Sequence, residues 1–244
     1  IRIPAACCGL FGVKPTRDRN PNIAGQVAGD RDRINGMAVD HVVTRSVRDS
    51  AAMLDATGYP ESASPYAPPP KDRPYLDEVA TPPGTLRIAF SSATPSGRPI
   101  DPEVRQALEQ TASLLEGLGH EVEERDLKLD YRSLYRAQAA IGSANMAAGV
   151  EEMAERMGRE PAGDDFEPLT WASVQLGRKL DAGTVIKAFR TLRTLAREIL
   201  GFYETIDVML TPVMGTVPPL IGHIDPVNVE PREVQRRQGR AFPF

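Results

Sequence analysis

Side chains able to do chemistry are few and scattered in this chain. Its two cysteines, Cys7 and Cys8, are neighbours. Adjacent cysteines make a poor disulfide staple and carry no metal-ligand spacing. The three histidines, His41, His120 and His223, lie far apart, which argues against a metal centre. Ser46 follows Arg45, but no base lies near it in sequence, so a helix cap is the stronger reading. His120 could act as a general base; its place just past a helix end points rather to a favourable contact with the helix dipole. Arg17, Arg31 and Arg33 could hold an anion, although such a cluster is more often a solvated face. No Gly-x-Gly-x-x-Gly follows the apolar segment ending at Phe90, where the turn reads Ser91-Ser92-Ala93-Thr94-Pro95-Ser96-Gly97, so no dinucleotide cradle is expected.

The most constrained stretch is residues 1–16. Ala5, Ala6, Gly9 and Gly12 sit among Ile3, Leu10, Phe11 and Val13. Such a run suits a buried segment in which backbones approach closely, because glycine has no Cβ to hold them apart. Pro15 biases Lys14 away from helix, which predicts an extended exit. Ile1 is no initiator methionine, and the run lacks the basic and apolar regions of a signal peptide, so the chain is expected to start within a longer one.

The elements that must position these residues follow from periodicity and punctuation. Residues 17–40, rich in Asn, Gly, Asp and Arg, read as a surface loop. Ser46 predicts the cap of a helix with Val47, Ala51, Met53 and Leu54 at helical spacing and Gly58 at its end. Residues 59–84, with Pro65, Pro68, Pro69, Pro70, Pro74, Pro82 and Pro83, read as an extended surface connector. A strand is expected at 86–90, then a helix opened by Asp101-Pro102 and closed by Gly119. Its apolar face would be Val104, Ala107, Leu108, Thr111, Leu115 and Leu118. A more polar strand at 120–127 would sit near the sheet edge, parallel to the first through a right-handed crossover. Residues 130–204 read as mainly helical: 131–157, then 165–180 broken by Pro168, then a long stripe of Val185, Ile186, Phe189, Leu192, Ala196, Ile199, Leu200 and Tyr203. The apolar run at 206–212 suits a buried parallel strand stopped by Pro212. Residues 215–244 read as turn-rich.

Length allows one large domain or two small ones. A 41% hydrophobic and 25% charged content is that of an ordinary globular protein, and a net charge of -4 gives no footprint for nucleic acid and no polybasic membrane patch. No apolar run reaches the ~18 residues of a membrane helix. The expectation is a cytoplasmic protein without cofactor or metal.

Two stretches carry a resemblance. Ile1-Arg2-Ile3-Pro4-Ala5 and Cys8-Gly9-Leu10-Phe11-Gly12-Val13-Lys14-Pro15-Thr16 resemble the motif of the amidase signature family, which reads roughly Gly-Gly-Ser-Ile-Arg-x-Pro-Ala and continues into Cys-Gly-x-x-Gly-x-Lys-Pro-Thr. Thr44-Arg45-Ser46-Val47-Arg48-Asp49 and Asp207-Val208-Met209-Leu210-Thr211-Pro212 resemble further family segments. The resemblance implies an α/β fold, a mixed sheet with helices on both faces, with residues 1–244 forming part of one amidase signature domain. It implies an amidase of the Ser-cisSer-Lys type whose nucleophilic serine stands immediately before Ile1. The lysine, the cis-peptide serine and the glycine-rich oxyanion loop would lie further upstream, so no catalytic residue is expected within the chain. Lys14 falls on the Lys-Pro-Thr part of the motif and takes a structural role. Arg2 would brace the glycine loop through an upstream aspartate. By the same resemblance Asn145, Trp171, Thr211, Pro212 and Val213, with Met214, face a small-molecule amide. Their segments look more like broad-specificity amidases, including nylon-oligomer hydrolases, than like tRNA-dependent amidotransferase subunits. An amidotransferase subunit and a catalytically inactive fragment or scaffold remain the alternatives, and homodimerisation is left open.

Overall fold

The computed structural model describes residues 1–21, 39–59 and 68–244, which divide into two units, Ile1–Gly84 and Thr85–Phe244. Most of the expected 17–40 loop, with Arg31 and Arg33, lies outside the described residues, as does Pro65.

In the first unit, helix α1 (Arg2–Cys7) is short and carries Pro4 in its opening turn, where a missing N–H costs nothing. Gly9, at φ 63°, turns the chain back, the Leu10 N–H reaches the Ala5 carbonyl at 2.8 Å, and strand β1 (Phe11–Gly12) follows. β1 pairs antiparallel with β2 (Val43–Thr44), Phe11 opposite Thr44 and Gly12 opposite Val43. The close approach read from the small residues is present: a Cβ on Gly12 would lie 2.9 Å from the Ala5 Cβ and 3.0 Å from the Ile1 carbonyl oxygen.

Helix α2 (Val47–Thr57) starts as its sequence demands, the Ser46 hydroxyl accepting the Asp49 N–H at 3.1 Å. Its buried face is Ser50, Ala51 and Leu54, whereas Val47 and Met53 point outward. The proline-rich connector needs correction over residues 68–84. Helix α3 (Tyr75–Glu78) docks on α2 because Asp55 accepts the Tyr75 and Leu76 N–H groups, both at 2.9 Å, and the Lys71 ammonium at 2.8 Å. Burial works against the Asp55 charge, but Lys71 and the two amides outweigh it and hold the carboxyl below its ordinary range.

In the second unit, β3 (Arg87–Phe90), α4 (Pro102–Gly117) and β4 (Glu121–Glu124) form the expected parallel crossover, Ile88 level with Val122. β5 (Val208–Leu210) pairs parallel on the other side of β3, giving the order β4-β3-β5. Successive strand residues point to opposite faces, and both Ile88 and Ala89 are buried, so helices cover both sides of the sheet. Ala89 packs with Phe202 and Ile206, flanked by Leu127 and Met209. β4 is an edge strand, in keeping with its polarity. β5 is corrected: among the described residues it is the opposite edge, and Val208 is largely exposed.

Four helices complete the unit: α5 (Tyr131–Met157), α6 (Pro168–Gly177), α7 (Ala182–Phe202) and α8 (Pro231–Ala241). Pro168 opens α6 rather than breaking it, since proline fits the first helical position. Asp165 belongs to a preceding 3₁₀ turn. On α7 the buried residues are Ala188, Leu195 and Phe202, with Ile186, Leu200 and Tyr203 exposed, so the real seam is rotated from the expected stripe. On α4, Leu108 and Ala112 are buried and Leu118 is exposed. Residues 215–230 are turn-rich as expected, and α8 is an addition to that reading.

Candidate functional site

In parallel α/β sheets ligands gather beyond the carboxyl ends of the strands. Here the Ser91 N–H donates to the Leu210 carbonyl at 3.1 Å, tying the ends of β3 and β5. The turn at 211–215 that follows is fixed from two sides. Asp101 N–H donates to the Gly215 carbonyl at 2.9 Å, and the Gly215 N–H to the Ala241 carbonyl at 3.0 Å. Gly215 must be glycine, because a Cβ would meet the Arg240 carbonyl and the Pro243 ring at 2.8 Å. Of the candidates in this turn, Thr211 and Val213 are exposed, while Pro212 and Met214 are buried. Alongside, the Ser91 hydroxyl, buried, donates to Asp126 at 2.5 Å, and the Tyr135 hydroxyl donates to the Pro243 carbonyl at 3.3 Å.

Asn145 and Trp171 lie elsewhere in the same unit. Gly177 of α6 faces Ser143 and Ala147 of α5. Two residues along a helix turn the side chain by about 200°, so Asn145 points away from that seam. Its carboxamide makes no hydrogen bond among the described residues. Trp171, half-buried on α6, stacks on Phe166 with centroids 5.5 Å apart and planes at 13°, and the Arg178 guanidinium lies 5.6 Å from its ring centre. No hydrogen bond or ring contact joins Asn145, Trp171 and the 211–213 turn among the described residues.

In the first unit, Arg2 is exposed, and nothing among the described residues accepts from its guanidinium; the aspartate it is expected to meet lies upstream of Ile1. The Lys14 ammonium donates to the Pro15 carbonyl at 2.9 Å and sits below its usual pKa, chiefly through burial and then through the cations of Arg2 and Arg17. His120, in the second unit, is neither a base nor a dipole contact: its Nδ1 accepts the Leu86 N–H at 3.2 Å, joining the starts of β3 and β4.

Sequence reasoning missed two constellations. His41 Nε2 lies 2.9 Å from the Ser50 hydroxyl, and Asn20 Nδ2 lies 3.4 Å from His41 Nδ1. The same amide donates to the Asp40 carbonyl and accepts from Thr57, which fixes its orientation and leaves Nδ1 an acceptor. The imidazole is therefore neutral, and burial lowers its pKa. A serine–histidine pair reads as a nucleophile and its base, but Ser50 is only 3% exposed, so this pair is a strut.

The second is Asp207, which opens one of the family-like segments. It accepts from Arg87 twice through the guanidinium, at 2.7 and 3.1 Å, and once through the backbone N–H, at 2.8 Å. Those bonds, the side-chain pair first, hold its carboxyl at about 2 against an ordinary 3.8. A depressed carboxylate stabilises the fold above its unfolded pKa and loses that contribution as pH falls from near 4 through 2. Asp207→Asn is therefore expected to lower the thermal midpoint at neutral pH, the gap to wild type closing below pH 3. Parallel melting curves in pH would refute this if the gap stayed constant.

The pattern of the Amidase family matches residues 1–239, and the chain belongs to that family. It is 31% identical over 228 residues to the 6-aminohexanoate-cyclic-dimer hydrolase of Paenarthrobacter ureafaciens, covering 92% of this chain and 46% of that protein. The enzyme of the same name from Pseudomonas sp. (strain NK87) matches with the same 31% identity and the same coverage. A solved structure of 6-aminohexanoate cyclic dimer hydrolase complexed with substrate superposes with a TM-score of 0.84 at 30% identity, over 92% of this chain and 47% of that one. The chain thus spans about half the length of the relatives it matches.

Proposed function

We propose that this chain is part of a hydrolase that cleaves the C–N bond of small carboxamides through a serine nucleophile placed immediately before Ile1. The observation that carries the reading is the motif of residues 1–16, within a family match running from residue 1 to 239. In the proposed reaction the serine hydroxyl attacks the amide carbonyl while a cis-peptide serine and a lysine relay its proton. Backbone N–H groups of a glycine-rich loop receive the developing oxyanion, the amine leaves, and water releases the acid. This chain's share is support and substrate contact. α1 carries the backbone away from the nucleophile, and the exposed Thr211 and Val213, with Phe166 backed by Trp171, are offered as walls for the amide. Asn145 is retained as a contact, its free carboxamide suiting an amide donor–acceptor pair. The substrate for which the relatives are named, a cyclic dimer of 6-aminohexanoate, favours an uncharged amide with aliphatic flanks. No cofactor, nucleic acid or membrane enters the reading.

The test begins with the coding sequence upstream of Ile1, expected to read Gly-Gly-Ser in frame. The full-length protein should then be labelled by a fluorophosphonate and release ammonia or amine from an amide panel, while residues 1–244 alone stay unlabelled. Labelling of the isolated chain would overturn the placement of the nucleophile. An unlabelled full-length protein would point to an inactive scaffold, and glutaminase activity dependent on a co-purifying subunit to an amidotransferase.

A further inference from the structure

We propose that the apolar cleft at the C-terminal end of α5 binds the aliphatic chain of an uncharged linear carboxamide, and that Trp171 serves it only by holding Phe166 in its wall. The proposal deepens the amidase reading and rests on it for the identity of the ligand. The cleft has a volume of about 230 Å³. Val150, Met153, Ala154 and Met157 form one wall, and Pro161 and Phe166 from the returning segment form the other. The spacing of the first four places them on a single helix face. On that face Met153 and Met157 are 47% and 57% exposed within this chain.

Size and charge select the occupant. Drug-sized sites measure roughly 300–1,000 Å³, so this cleft takes a chain of a few carbons and is too small to seat a helix. The charged groups at its rim are Arg159 and Asp165, which bond each other at 2.7 and 2.8 Å, while Asp165 also accepts the Ala162 N–H at 2.8 Å. Both charges are satisfied, so neither is available to a charged ligand end, and a neutral chain is preferred. Methionine side chains are flexible and polarizable and can close around such a chain. Phe166 lines the cleft, and Trp171, stacked on that ring, does not.

Trp171 is the chain's single tryptophan, so its emission reports on the cleft through Phe166. The full-length protein is titrated with hexanamide, acetamide and hexanoate, a Trp171→Phe variant subtracting any other tryptophan signal. A saturable change with hexanamide is expected, with acetamide and hexanoate at least about 10-fold weaker, the discrimination a hydrophobic pocket gives. Ala154→Phe, which fills the cleft, should raise KM for hexanamide about 10-fold, a larger change than for acetamide. Met153→Ala, at an exposed position, gives a second variant should the first fail to fold. Binding measured by calorimetry should be lost in Trp171→Ala and retained in Trp171→Phe, which keeps a ring behind Phe166. Absence of a saturable response to hexanamide, or equal effects of Ala154→Phe on both amides, overturns the proposal. If hexanamide binds but no amide is cleaved, the cleft stands and the amidase reading falls. Turnover independent of chain length, without a fluorescence response, has the opposite meaning.

Discussion

Gly177→Ala is expected to destabilise the protein by about 3 kcal/mol, in the upper range for overpacking a filled interior. An alanine Cβ at this position would collide with the Ser143 carbonyl oxygen and lie 2.6 Å from its carbon and 2.8 Å from the Ala147 Cβ. The first two atoms belong to the backbone of α5, so no rotamer change relieves the clash, and the helices must part. Val174 and Ile141 are almost fully buried, so there is no slack along these helices to absorb the movement. At roughly 2–4 °C per kcal/mol for a domain of this size, the thermal midpoint should fall by about 6–12 °C. Gly142 provides the control. It lies within α5, and a Cβ added there would meet no atom within 4 Å, so Gly142→Ala should hold or raise the midpoint through helix propensity alone. Coincident melting of Gly177→Ala and wild type would mean that α5 and α6 do not approach as described.

The elements legible in the sequence are those whose signals are local. Ser46 with Asp49 marks the start of α2, and Asp101-Pro102 that of α4, because a cap or a first-turn proline acts within a few residues. α8 is hidden by the surrounding prolines, although Glu230 accepts the Arg232 and Glu233 N–H groups and Pro231 takes the first position. Only Val234 and Ala241 of that helix are buried, so it shows no apolar stripe to read. α7 misleads for a different reason. It is apolar over a wide arc, and the choice of Ala188, Leu195 and Phe202 as the seam depends on where α5 and the sheet lie.

The candidate site divides along the same line. The motif at residues 1–16 is visible in the sequence because its glycines answer to contacts a few residues away, Gly12 to Ile1 and Ala5. The role of Asp207 is not, because its partner Arg87 is 120 residues distant. Trp171 draws notice by its type, yet its effect on the cleft depends on Phe166 and on the fold of the segment between α5 and α6. A residue type can name a candidate; only the packing decides whether it touches a ligand or holds the residue that does.

On the proposed mechanism, Gly12→Ala in the full-length protein should lower kcat about 10–100-fold while KM changes little, since a misplacement of about 1 Å at a reacting group costs that much. A Cβ at Gly12 would stand 2.9 Å from the Ala5 Cβ, 3.0 Å from the Ile1 Cγ2 and 3.0 Å from the Ile1 carbonyl oxygen. Ala5 is buried and cannot withdraw. α1 is only six residues long, so the least costly relief is to displace Ile1 and the first turn of α1 together. The serine proposed to precede Ile1 would move with them, away from its proton relay and from the oxyanion donors, while groups that bind the rest of the amide stay in place. Gly9→Ala separates this effect from simple destabilisation. Gly9 has a φ of 63° and no atom within 4 Å of a Cβ, so alanine there costs stability through backbone strain without pressing on Ile1. The measurement is kcat and fluorophosphonate labelling rate for both variants at a temperature where each is folded. Wild-type rates in Gly12→Ala, or an equal loss in Gly9→Ala, would show that residues 1–12 do not set the position of the nucleophile.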